Sequence, residues 1–150
     1  MVGQLAIETS PYIPAEGARV VAAPDGALAA IVEPQRIVVV ELTSAAPVSE
    51  LGLDSAPEDT DVAWVGPPSR LLVLVRGPSH STVHLVDPAP AGPQWVAQIR
   101  IEASMQIRTT VGPYALAVGA RNAAVLTAGD AGITPYQFPA RGMPGAAGAA

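Results

Sequence analysis

An all-β chain of short antiparallel strands is the fold class this sequence predicts, on three observations. Its 150 residues include 16 Pro and 14 Gly, too many interruptions for long helices. Apolar residues come in short runs rich in the β-branched side chains that strands favour. Nearly every gap between runs carries Pro, Gly, Asn or Asp, and none has room for a crossover helix. A chain of this length, 49% hydrophobic, buries roughly 70% of the surface its unfolded form exposes, enough for one domain with its own core.

The elements follow in order. Arg19–Ala23 runs into Pro24-Asp25-Gly26, where Pro presets one dihedral and Gly supplies positive φ. Ala27–Glu33 ends at Pro34-Gln35-Arg36, and Ile37–Leu42 follows, then a run near Val48. Further runs are Asp61–Val65, Leu71–Val75, Thr82–Val86 and Trp95–Ile101, then Gln106–Val111, Tyr114–Val118, Ala123–Thr127 and Ile133–Phe138. Gln4–Thr9 is a short alternating strand ahead of them all. Ile37-Val38-Val39-Val40 and Leu71-Leu72-Val73-Leu74-Val75 are apolar at successive positions. Successive side chains leave a strand on opposite faces, so these strands are expected to be covered on both sides. Helices that would cover them are missing, and a two-layer sandwich covers one face only. Sheets stacked between neighbouring sheets meet the requirement. Taken four at a time, corresponding strands recur roughly 41–46 residues apart, which makes three four-stranded units.

The block Val20–Leu42 carries Pro24-Asp25-Gly26 between its first two strands and the hydrophobic–acidic step Val40-Glu41-Leu42. Leu85-Val86-Asp87-Pro88 ends a later third strand in the same manner. These residues resemble the repeats of bacterial WD40-like and YVTN-type β-propellers, and the resemblance covers residues 19–138. It implies a partial β-propeller over residues 1–139, with antiparallel four-stranded blades near 19–56, 60–102 and 105–139. Strand 4–9 precedes them and a flexible low-complexity tail, 140–150, follows. The Trp-Asp pair and Gly-His step of WD40 repeats are absent, and Val111-Gly112-Pro113 replaces the first unit's turn, which marks a divergent branch. A self-contained β-sandwich or barrel is the alternative. Closed propellers use about four to eight blades. The expectation is therefore the N-terminal part of a longer propeller, or a subunit that completes a ring by assembly.

Composition excludes several function classes. The net charge is −5 and every basic residue is an arginine. The arginines are scattered, with no cluster to neutralise a run of phosphates, which argues against nucleic acid and anionic membrane surfaces. No apolar run approaches the ~20 residues of a membrane helix. Met1-Val2-Gly3-Gln4 lacks the basic start of a secretory signal, so the expected location is cytoplasmic. The absence of cysteine removes disulfides, thiol nucleophiles and thiolate zinc sites.

His80 and His84 would share a face of a helix, but on a strand they lie ~13 Å apart, too far for one metal. Glu58-Asp59-Thr60-Asp61 lacks the glycine of calcium loops and reads as a solvated acidic loop. There is no lysine for a phosphate loop and no Gly-x-Ser-x-Gly. The expectation is therefore no catalytic, metal or cofactor residue and no enzyme activity. What remains is a protein-interaction or scaffolding module that meets a protein partner or a further copy of itself. The alternative is the ligand-binding or sensor propeller portion of a larger enzyme. Trp64 and Trp95, with Tyr12, Tyr114, Tyr136 and Phe138, are the aromatics available for a recognition surface, of which Trp64, inside Val62-Ala63-Trp64-Val65, reads as packing. The candidate interface residues are Leu5, Ile7, Trp95, Tyr136 and Phe138.

Overall fold

A computed structural model describes residues 11–53, 59–89, 92–129 and 132–139. They form three four-stranded antiparallel sheets, with no α-helix among the described residues. Sheet I contains β1 (Arg19–Ala22), β2 (Leu28–Glu33), β3 (Arg36–Glu41) and β4 (Pro47–Gly52). Sheet II contains β5 (Thr60–Val65), β6 (Arg70–Arg76), β7 (Ser81–Ala89) and β8 (Gly92–Ile101). Sheet III contains β9 (Met105–Val111), β10 (Tyr114–Gly119), β11 (Asn122–Ala128) and β12 (Ile133–Pro139). Within each sheet the strands lie side by side in chain order. The expected strand 4–9, with Leu5 and Ile7, and the tail 140–150 lie outside the described residues.

Turn chemistry sets the hairpins. Between β1 and β2 the Asp25 carboxylate accepts from Ala27 N at 2.9 Å, and Gly26, at φ +78°, donates to Ala23 O. Between β9 and β10 the two turn residues are Gly112, at φ +56°, and Pro113, matching the hairpin preference for glycine at a positive-φ position. Gly66 opens the β5–β6 turn at φ +148°, where an added Cβ would lie 2.2 Å from Pro68 O. No other residue fits there.

The apolar runs are buried on both faces because the sheets stack. From β6, Leu71 and Val73 pack against Ala30, Val32, Ile37 and Val39 of sheet I. The alternate residues Leu72 and Leu74 pack against Met105, Ala115, Ala117, Ala124 and Leu126 of sheet III. Sheet II is thus the middle of three layers. Dry packing on both faces lets its side chains gain the full burial contribution, roughly 1.5–3 kcal/mol for each large one. Polar contacts tie the layers. Trp64 Nε1 donates to Val21 O at 2.8 Å, Arg19 Nη2 to Thr60 O at 2.6 Å, and Ile107 N to the Asp61 carboxylate at 2.8 Å. The first strands lie alongside one another, β1 against β5 and β5 against β9.

Two local readings differ from the sequence. β7 and β8 extend beyond the apolar runs that announced them, with Pro88 opposite Pro93 near the end of the ladder. Proline is compatible with a ladder where its missing N–H is not required, so it does not end these strands. Asp61 is also no solvated loop charge. Its side chain is only 20% exposed, and it accepts from Arg76 as well as from Ile107 N.

Candidate functional site

The two ends of the stack are built differently. On sheet I, β2 and β3 point Ala29, Ile31, Val38 and Val40 away from sheet II, yet none is more than 4% exposed. Tyr12 and Ala18, from the segment ahead of β1, pack against them. Glu33, at the end of β2, holds that segment. Its carboxylate accepts from Tyr12 Oη at 2.6 Å, Ala15 N at 2.7 Å and Arg36 Nε at 2.7 Å. Arg36 also donates to Tyr12 Oη and sits over its ring, 5.7 Å from the centroid. Burial alone would push the Glu33 carboxyl up. The Tyr12, Ala15 and Arg36 hydrogen bonds and the Arg36 charge outweigh it and hold the group below the ordinary carboxylate value. Tyr12 is pushed above its ordinary value by burial and by its bond to Glu33.

Sheet III has no such cover among the described residues. Ala115, Ala117, Ala124 and Leu126 point toward sheet II, so the intervening side chains face outward. On β10 these are Tyr114, Leu116 and Val118. Register places Val111 opposite Tyr114, Val125 opposite Tyr136, and Ala123 opposite Phe138. Val111 is 71% exposed, Tyr136 68% and Tyr114 51%. The Tyr136 and Phe138 rings lie side by side, centroids 5.9 Å apart. Their outward-facing neighbours Gln106, Thr109, Thr127 and Thr134 are polar but neutral. The outward register positions are apolar, aromatic or neutral polar, and Arg108, the additional residue at the β9 bulge, lines a groove with Gln106 and Val118 at the edge of the face.

Two grooves lie away from these end faces. Arg19, Asp61 and Arg108 line a groove of about 240 Å³ along β1, β5 and β9. Trp95, 49% exposed, meets His84 edge-on at 5.1 Å. Together with Thr82, Gln98 and Leu53 they border a groove of about 400 Å³ between sheets I and II. Burial holds His84 below the ordinary imidazole value, so the ring is neutral at pH 7.

Of the sequence-expected interface residues, the structure brings Tyr136 and Phe138 together on sheet III. It places Trp95 apart from them, on β8 of sheet II. Leu5 and Ile7 lie outside the described residues. Sequence reasoning missed Val111 and Leu116, and counted Tyr114 among the aromatics of a recognition surface without placing it on this face. The available signal was β10 itself, where bulky Tyr114, Leu116 and Val118 alternate with Ala115 and Ala117. Trp64 is buried at 3% exposure, as read from its neighbours.

Among the described residues no group of three or more His, Cys, Asp or Glu side chains is placed to hold a metal, and no helix is long and apolar enough to cross a membrane. No protein-family model matches the chain, and no curated protein sequence matches it.

Proposed function

We propose that the chain is a non-catalytic protein-interaction or scaffolding module, cytoplasmic, whose three sheets are blades of a partial β-propeller. The single observation that carries this reading is the neutral, aromatic outer face of sheet III. It stands exposed at one end of a stack whose other end is covered. Exposed apolar surface of this kind usually marks a contact site. The chain-ordered meanders, with β1, β5 and β9 side by side, support the blade reading, since propeller blades wind outward from an inner strand. A further sheet stacked on sheet III would bury Tyr114 and Tyr136 much as sheet II is buried. That sheet comes from more repeats of a longer propeller or from another subunit.

The groove formed by Arg19, Asp61 and Arg108 favours a second reading, a ligand-binding portion of a larger enzyme or sensor. A photo-cross-linking residue at position 136, with the same residue at position 79 as control, separates the two. Cross-links to protein from position 136 alone support the interaction module. Silence at 136, with a small anion perturbing the Arg19 and Arg108 signals in an NMR titration, turns the reading to the second.

A further inference from the structure

We infer that the occupant of the sheet III face is a second copy of this chain, docked sheet III to sheet III across a two-fold axis; this rests on the interaction-module reading above.

The first argument is electrostatic. Identical copies bring identical charges together, and this chain carries a net charge of −5. Like charges across an interface suppress association. The outward register positions of sheet III hold no Asp, Glu, Lys or Arg, so two copies meet there without that penalty. Arg108, the additional residue at the β9 bulge, lines the groove along the first strands and also a groove with Gln106 and Val118, so its charge lies at the rim of the contact.

The second argument is topological. Head-to-tail assembly needs two complementary surfaces on each copy, whereas a two-fold contact uses one surface twice. The outer face of sheet I is already covered by the Tyr12–Ala18 segment. One exposed face on each chain therefore gives a closed pair. Among the described residues it leaves no second open sheet face for a ring or filament of copies.

The face itself suits self-pairing. Tyr136 and Phe138 stand on the edge strand β12, Tyr114 stands at the start of the inner strand β10, and Leu116 and Val125 occupy the middle. Large flat rings against aliphatic side chains pack well in either orientation. Four strands about 4.8 Å apart and roughly 20 Å long give a footprint of about 400 Å² per copy. That is small for a permanent interface, so the pair is expected to dissociate in the micromolar range.

The test is solution mass by light scattering after size exclusion, from about 100 µM down to about 1 µM. The mass is expected to fall from about twice 15.2 kDa toward a single copy across that range. Tyr136→Lys combined with Tyr114→Lys is expected to weaken pairing tenfold or more, because ammonium groups of like charge would be brought into the contact. Trp95→Ala, on a different sheet, is expected to leave pairing unchanged. Far-UV circular dichroism checks that each variant keeps its strands.

Because the chain has no cysteine, a single introduced thiol gives a second, independent readout. Thr134→Cys is expected to cross-link copies with a short bis-maleimide, and Ser79→Cys, in the β6–β7 turn, is not. A wild-type monomer at the highest concentration overturns the pairing. So does a dimer indifferent to the two lysines, or one that cross-links through Ser79→Cys alone. A monomer whose position 136 still cross-links to a different protein overturns the pairing while leaving the interaction module standing.

Discussion

The outer faces of sheets I and III begin from similar material and end in opposite states. Both are the terminal faces of a three-layer stack, and both present apolar side chains. On sheet I, Ile31 and Val38 are buried beneath Tyr12 and Ala18. On sheet III, Tyr114 and Tyr136 remain more than half exposed. The difference is traceable to one side chain. Glu33 offers a buried carboxylate that three donors satisfy together, Tyr12 and Ala15 of the preceding segment and Arg36. A covered sheet thus needs more than apolar residues above it; it needs a polar anchor that fixes the cover in place. Sheet III has no equivalent anchor among its outward residues, which are Thr, Gln and apolar side chains.

The largest expected effect comes from truncating the covered face. Ile31→Ala is predicted to cost about 2–4 kcal/mol of stability, the usual range for deleting a buried aliphatic side chain. Tyr136→Ala, measured where the protein is monomeric, is predicted to change stability by no more than about 0.5 kcal/mol. Urea titrations read both, and equal losses at the two positions would erase the distinction between the ends.

Next comes the anchor itself. Glu33→Ala removes the acceptor for Tyr12, Ala15 and Arg36, and is expected to cost about 2–3 kcal/mol, the scale of charge-assisted hydrogen bonds lost at a buried site. It would also expose a second sheet face. Assemblies larger than a pair are therefore expected at high concentration, and light scattering reads them.

Acidification weakens the same anchor reversibly. The folded-state value of Glu33 is lowered, so its contribution is fully present above the unfolded value of about 4.3. It is lost as pH falls through the lower folded value. Hydrogen exchange is expected to show Ala15 N losing protection as pH falls through that lowered folded value, with the β10–β11 ladder unchanged after correction for intrinsic rates. Simultaneous loss in both places would mean that the cover is not a separate unit.

Much of this architecture was legible in the sequence. The all-β class followed from Pro and Gly spacing, and two-sided burial from the Leu71–Val75 run, whose members do pack alternately against sheets I and III. The extent of β7 and β8 was not legible, because Pro88 and Pro93 read as breakers when seen without their opposite strand. The Glu33 anchor was hidden for a related reason. Tyr12, Ala15 and Glu33 are separated along the chain, and nothing local in Val32-Glu33-Pro34 distinguishes a buried acceptor from a turn charge. Tyr136 and Phe138 stood out as aromatics, but their shared face with Tyr114 depends on register across β9 to β12.

The smallest predicted effect lies away from both ends. Trp95→Ala strips the edge-on ring from His84 and is expected to bring the imidazole back up toward its ordinary value, because burial is what lowers it. A proton NMR titration reads this, and an unmoved His84 would assign its shift to other neighbours.

The three tyrosines report the two ends directly. Nitration with tetranitromethane attacks the exposed, ionisable phenol. Tyr12 is hydrogen-bonded beneath Arg36 and pushed above its ordinary value, while Tyr114 and Tyr136 stand in solvent. At mildly alkaline pH and high dilution, mass spectrometry is expected to find Tyr114 and Tyr136 nitrated and Tyr12 spared. Nitration of Tyr12 at a rate equal to the other two, or protection of Tyr114 and Tyr136 at every dilution, would contradict a stack closed at one end and open at the other.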